Sequence, residues 1–64
     1  MAWKKQLSKR EIEVGEMVSL GFSNEKIGEE MNISFHTVKA HLRNIYSKTG
    51  FKGRMELVIN ILKQ

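Results

Sequence analysis

Residues 23–50 read SNEKIGEEMNISFHTVKAHLRNIYSKTG, and they carry the start and stop signals of two consecutive helices. Ser23 can cap a helix of about residues 24–31, because its hydroxyl can accept a hydrogen bond from an amide of the first turn. Asn32-Ile33-Ser34 follows as a tight connection, in which Asn32 tolerates a left-handed backbone and Ser34 caps the next helix. Two helices joined by about three residues form a helix-turn-helix layout.

The second helix of this unit, about residues 35–48, has two opposed faces when its positions are set at about 100° per residue. The apolar face carries Val38, Leu42, Ile45 and Thr49. The opposite face carries His36, Ala40, Arg43 and Ser47, with Lys39 and Asn44 at its borders. We expect the apolar face to lie in the core and the opposite face to be free to bind a partner.

Two further helices are predicted outside this unit. Ser8-Lys9-Arg10-Glu11 is a capping box, which starts a helix of about residues 9–20 before Gly21 ends it. Gly50 ends the third helix, and an apolar segment at about residues 54–62 forms the fourth. The sequence therefore predicts an all-α fold, a compact four-helix domain that contains a helix-turn-helix and spans residues 1–64.

Length and composition restrict what such a domain can do. A chain of 64 residues has a small stability margin, on the order of 3–5 kcal/mol, and it lacks cysteine for disulfides or zinc. His36 and His41 lie about 140° apart on a helix, so they cannot share a metal ion within one subunit. We expect no metal, no cofactor and no enzymatic activity, because no nucleophile with an adjacent base and no phosphate-binding glycine loop is present.

No apolar window of about 18 residues occurs, and the first residues do not form a signal sequence. A cytoplasmic protein with no membrane partner is therefore predicted. The initial methionine favours a natural protein of this length, and a domain cut from a longer regulator is the alternative.

The distribution of charge favours a polyanionic partner. The formal net charge is +4, and every acidic residue except Glu56 lies between Glu11 and Glu30. Residues 31–55 contain no acidic residue and carry Lys39, Arg43, Lys48, Lys52 and Arg54. A row of cations on a helix is often only a solvated surface, but this row lies on the second helix of a helix-turn-helix, opposite an apolar face.

The fourth helix has an apolar arc of about 200°, which exceeds the usual stripe of about 100°. We expect Met55, Ile59 and Leu62 to pack on the core of the domain and Leu57 and Ile61 to contact something else, with Val58 assigned to both surfaces. The dimer interface is thus predicted at Leu57, Val58 and Ile61. The alternative is that Leu57 and Ile61 pack on the N-terminal segment around Trp3.

Several spaced motifs, in order, resemble the LuxR-type, or GerE-like, helix-turn-helix family from Leu7 to about Ile61. They are LSKREIEV at 7–14, GFSN at 21–24, ISFHTVKAHL at 33–42 and KTGFKGR at 48–54. The resemblance implies four helices, a third helix in the major groove of double-stranded DNA, and homodimerisation largely through the fourth helix. One departure is Gly15, which stands where the family usually has leucine and removes a core side chain.

By position, the resemblance implies that Lys39, Ala40 and Arg43 read DNA bases. Contacts to the DNA backbone are predicted for the side chains of His36, Thr37, Asn44 and Lys48. The amide-rich starts of the second and third helices, at Asn24 and Phe35, are expected to do the same. The function predicted is a sequence-specific transcription regulator that binds a palindromic operator as a homodimer. The alternative is a helix-turn-helix that serves as a protein-interaction module and binds another regulator or RNA polymerase through its fourth helix.

Overall fold

Four α-helices make up the secondary structure of a computed structural model, which describes residues 3–63. They are α1 Lys9–Ser19, α2 Asn24–Met31, α3 Phe35–Thr49 and α4 Arg54–Leu62, and there is no strand between residues 3 and 63. The predicted all-α fold is confirmed, although α1 ends one residue earlier and α3 one residue later than expected. The limits predicted for the domain include residues 1, 2 and 64, which lie outside the described residues. None of the four helices has the length and apolar character needed to cross a membrane.

Side-chain caps start the first three helices as predicted. The Ser8 hydroxyl accepts from the Glu11 amide at 3.1 Å, and the Ser8 amide donates to the Glu11 carboxylate at 2.9 Å, which completes the capping box. The hydroxyls of Ser23 and Ser34 each accept from an amide three residues later, at 3.1 Å in both cases. These caps satisfy amides that have no partner within the helix.

Left-handed residues end α2 and α3 and fix the turns. Asn32 has φ 58° at the end of α2, and Gly50 has φ 81° at the end of α3. The Gly50 amide donates to the Tyr46 carbonyl at 2.8 Å. α2 and α3 are thereby joined through residues 32–34, as the helix-turn-helix prediction requires.

The core lies between α1 and the other three helices. α1 packs against all of them, and α2 also packs on α3. The apolar face of α3 is buried as predicted, with Val38 and Ile45 fully enclosed. The buried apolar side chains are Trp3, Val14, Val18, Ile27, Met31, Val38, Leu42, Ile45 and Leu57.

Trp3 fills the space that Gly15 leaves in α1. The indole is 3% exposed, and a Cβ atom built on Gly15 would lie 2.7 Å from its Cζ3 atom. The missing side chain at Gly15 therefore does not leave a void, because the residue before the helices supplies the apolar volume. This observation also fixes the N-terminal segment against α1.

The predicted assignment of the faces of α4 is wrong. Leu57 is fully buried in the core cluster that contains Trp3, and Val58 and Ile61 are half-buried against that cluster. The exposed stripe consists of Met55, Ile59 and Leu62, with 74%, 46% and 70% of their surface accessible. An apolar arc of 200° does not indicate which part turns inward, and packing against α1 selects the side of Leu57.

Candidate nucleic-acid interface

The face of α3 opposite the core is accessible along its length. The side chains of Lys39, Arg43 and Asn44 are exposed, and the small side chain of Ala40 between them is half-buried. The three residues predicted to read bases therefore share one surface, which two cations dominate. A planar guanidinium and an ammonium at this spacing can donate hydrogen bonds to acceptors in a groove.

An aromatic pair lies at the start of this surface. Phe35, the first residue of α3, is 37% exposed, and the Lys39 Nζ atom lies 5.3 Å from the centre of its ring. The ring of His36 meets that of Phe35 edge-on, with centres 5.3 Å apart and planes at 67°. The sequence interpretation used only the amide of Phe35 and did not foresee a role for its ring.

The side chain of Arg54, at the start of α4, reaches to the start of α2. Its guanidinium donates to the backbone carbonyl of Phe22 and, at 3.4 Å, to the Oδ1 atom of Asn24. These bonds occupy only part of a group with five N–H donors. Arg54 therefore links the starts of α4 and α2 through its side chain, and it is also an exposed cation beside α3.

Arg54 and Tyr46 complete a cleft next to the reading face. Its walls are Asn24, Lys39, Leu42, Arg43, Tyr46 and Arg54. Burial raises the pKa of the Tyr46 phenol, and the nearby positive charge of Arg54 opposes that shift. Sequence reasoning counted Arg54 among the basic residues but missed its place here, because the contact joins segments 30 residues apart.

Four of the residues predicted to contact the DNA backbone lie in the first turns of α2 and α3, namely Asn24, Phe35, His36 and Thr37. Asn44 and Lys48 lie further along α3. The Thr37 hydroxyl lies 2.9 Å from the Ser34 hydroxyl and stays exposed. His36 is also exposed, and Asn24 is half-buried under Arg54. No cluster of three or more potential metal ligands forms within residues 3–63.

Lys48 lies in the last turn of α3, where its ammonium is already paired with a carboxylate. Its Nζ atom lies 2.9 Å and 3.1 Å from the two carboxylate oxygens of Glu11, whose side chain is only 6% exposed. The bond from the Ser8 amide, more than the bond from Lys48, lowers the pKa of the Glu11 carboxyl, against an opposing effect of burial. A buried carboxylate needs a counter-charge, and Lys48 supplies it.

This arrangement of helices and cations can be compared with known families. Residues 5–61 match the family described as bacterial regulatory proteins, luxR family. The chain belongs to this family. LuxR-type membership explains the coincidence of a helix-turn-helix, an exposed basic third helix and a fourth helix, and it identifies a DNA-binding, transcription-regulating domain.

Relatives of this LuxR-type domain include the oxygen regulatory protein NreC of Staphylococcus aureus strains JH9, Mu3 and USA300. Each is 42% identical over 60 residues, which cover 94% of this chain and 28% of the relative. The chain thus spans less than a third of the length of these relatives.

Proposed function

We propose that this LuxR-type domain binds double-stranded DNA sequence-specifically, with α3 in the major groove, and regulates transcription in the bacterial cytoplasm. The observation that carries the proposal is the opposition of two faces on α3. Val38 and Ile45 anchor the helix in the core, while Lys39 and Arg43 project from the other side. A major groove about 12 Å wide admits one α-helix presented in this manner.

Base recognition is assigned to Lys39, Ala40 and Arg43. The fork of Arg43 suits the O6 and N7 atoms of guanine, and the ammonium of Lys39 can donate to the same acceptors. The methyl group of Ala40 is small enough to admit the methyl group of thymine.

Contacts to the DNA backbone are assigned to Asn24, the amide of Phe35, and the side chains of His36, Thr37 and Asn44. Such contacts set the register of the protein on the duplex and carry little sequence information. We add Arg54, because its guanidinium lines the same cleft as Arg43 and has donors left over. Lys48 is left out, since its ammonium is held by Glu11.

Homodimerisation is assigned to the exposed stripe of α4, formed by Met55, Ile59 and Leu62. These three side chains follow one another at helical spacing on the side of α4 away from the core. Two copies related by a two-fold axis would present two α3 helices to successive major grooves. The operator is then an imperfect palindrome with half-sites about one helical turn apart.

The test is the effect of alanine substitutions on DNA affinity at one fixed salt concentration. Lys39→Ala and Arg43→Ala should each weaken binding to a preferred site more than binding to scrambled DNA, because they remove base contacts. Lys9→Ala is the matched control, since Lys9 is an exposed cation on α1. Equal affinity of all three variants and the unsubstituted chain would exclude α3 as the reading helix and favour a protein-interaction module.

A further inference from the structure

We propose that Phe35 is a specificity-determining residue, whose exposed ring positions the Lys39 ammonium for base recognition. The inference rests on the proposed function, because it concerns how one of the assigned base-reading side chains is oriented. It assigns to the ring a role that is separate from the backbone amide of the same residue.

The position of the ring is not explained by core packing. Phe35 is 37% exposed and does not belong to the buried cluster or to the half-buried side chains around it. A large aromatic side chain that stays partly exposed gains less free energy from burial than one in the core. Its contacts at the surface are therefore of interest. Two such contacts of the ring are with Lys39 and His36.

Helix geometry brings Lys39 over the ring. Residues four apart lie on the same face, and side chains on a helix point back toward its N-terminus. The Lys39 Nζ atom accordingly lies 5.3 Å from the ring centre, within the range of about 6 Å in which a cation is attracted to an aromatic face. The ring of His36 also lies against the Phe35 ring, in an edge-to-face arrangement.

Lys39 has no competing ion pair in the described part of the chain, because the lysines that bind carboxylates there are Lys4, Lys26 and Lys48. A free lysine samples many rotamers and loses that freedom when it binds a base edge. Contact with Phe35 removes part of this freedom before DNA arrives. It also holds the ammonium near the N-terminal end of α3, and this end of a recognition helix contacts base edges.

The consequence is a preference at one base pair. When Lys39 is held over Phe35, its ammonium reaches the groove from a defined direction and can favour guanine acceptors at a single position. Without the ring, the ammonium can satisfy neighbouring acceptors or phosphates as well. Loss of Phe35 should therefore relax discrimination at the base pair that Lys39 reads and leave discrimination by Arg43 intact.

The experiment is a double-mutant cycle of Phe35→Leu and Lys39→Met, with fluorescence anisotropy at fixed salt. The probes are the preferred operator and a variant with the base pair read by Lys39 replaced. Phe35→Leu should lower affinity for the preferred operator, but not for the variant, by about two- to five-fold, which corresponds to about 0.5–1 kcal/mol. In the Lys39→Met background, Phe35→Leu should have no further effect. Phe35→Tyr keeps the aromatic face and should retain the affinity and preference of the unsubstituted chain.

Two results would overturn the inference while the proposed function stands. One is that Phe35→Leu changes the affinity for the preferred operator equally with and without the Lys39 ammonium. The other is a loss for Phe35→Tyr as large as that for Phe35→Leu. Failure of the unsubstituted chain to prefer any operator over scrambled DNA would refute the proposed function itself. Unchanged thermal unfolding of the Phe35 variants verifies that the differences do not come from the fold.

Discussion

The Lys48 ammonium lies 2.9 Å from the Oε1 atom of Glu11, and this ion pair ties the last turn of α3 to the first turn of α1. The carboxylate also accepts a hydrogen bond from the Ser8 amide, so one side chain closes the capping box and anchors α3. The orientation of the proposed reading helix thus depends in part on a buried charge at its far end.

The first prediction is an acid-dependent loss of stability centred on Glu11. The folded state lowers the pKa of this carboxyl. The stability that the ionised carboxylate contributes is therefore fully present above its pKa in the unfolded chain, about 4.3, and it is lost as the pH falls through its pKa in the folded chain. Urea unfolding of Glu11→Gln between pH 7 and pH 2 should show a weaker dependence on pH than that of the unsubstituted chain. Parallel curves for the two proteins would contradict this account.

The second prediction separates stability from DNA binding at Lys48. Lys48→Met leaves the buried Glu11 carboxylate without its counter-charge and should lower the free energy of unfolding by about 1–3 kcal/mol. The proposal leaves Lys48 out of the phosphate contacts, so the salt dependence of DNA affinity should not change. If the slope of log affinity against log salt concentration fell by roughly one, Lys48 would be shown to contact a phosphate.

A third prediction concerns the packing of Trp3 on Gly15. Gly15→Ala gains about 1 kcal/mol of helix propensity but displaces the indole, and overpacking of this kind costs about 1–3 kcal/mol. Stability should fall, and the emission of the one tryptophan should shift to the red as the ring becomes exposed.

Gly53→Ala is the control for Gly15→Ala, since no atom beyond its chain neighbours lies within 4 Å of a Cβ at Gly53 and its φ of 169° suits any residue. A Gly15→Ala variant that is more stable and has unchanged emission would show that the buried position of the Trp3 indole does not depend on the glycine.

The fourth prediction distinguishes the two faces of α4. Ile59→Glu places a charge on the exposed stripe and should abolish self-association in sedimentation experiments without lowering monomer stability. Leu57→Ala removes a fully buried side chain and should destabilise the fold by about 2–5 kcal/mol. If the unsubstituted chain is strictly monomeric at high concentration, with and without operator, the proposed dimer is refuted. The exposed stripe of α4 would then be a candidate surface for binding a different protein.

The fifth prediction tests whether Arg54 binds phosphate or only clamps α2. Arg54→Ala should weaken DNA binding for all sequences and lower the salt slope by roughly one. Arg54→Lys keeps the positive charge but loses the planar guanidinium that reaches Phe22 and Asn24. The salt dependence of DNA binding should therefore persist, while the affinity for DNA falls. An unchanged salt dependence in Arg54→Ala would show that this residue has only a structural role.

Local signals predicted the helices well because each signal acts within a few residues. Ser8, Ser23 and Ser34 cap helices through amides three residues away, and Asn32 and Gly50 adopt the left-handed conformation expected of them. The buried face of α3 was also predictable, since periodicity alone separates its two sides.

Features that depend on distant segments were missed. The pairing of Lys48 with Glu11 spans 37 positions, and nothing local distinguishes this lysine from one that faces solvent. The faces of α4 were assigned in reverse because Leu57 and Ile59 are equally apolar, and only the neighbouring helix decides which one is buried. Gly15 was interpreted as a loss of packing, because the approach of Trp3 cannot be seen from the spacing along the chain.

Selection of bound sites from random double-stranded DNA is the sharpest test of DNA reading by α3, because it reports sequence preference and symmetry together. We predict an enriched motif with two inverted half-sites about one helical turn apart, and the guanine positions within it should lose enrichment in Arg43→Ala. Enrichment of no motif, or a motif that Arg43→Ala leaves unchanged, would contradict the conclusion that α3 reads DNA.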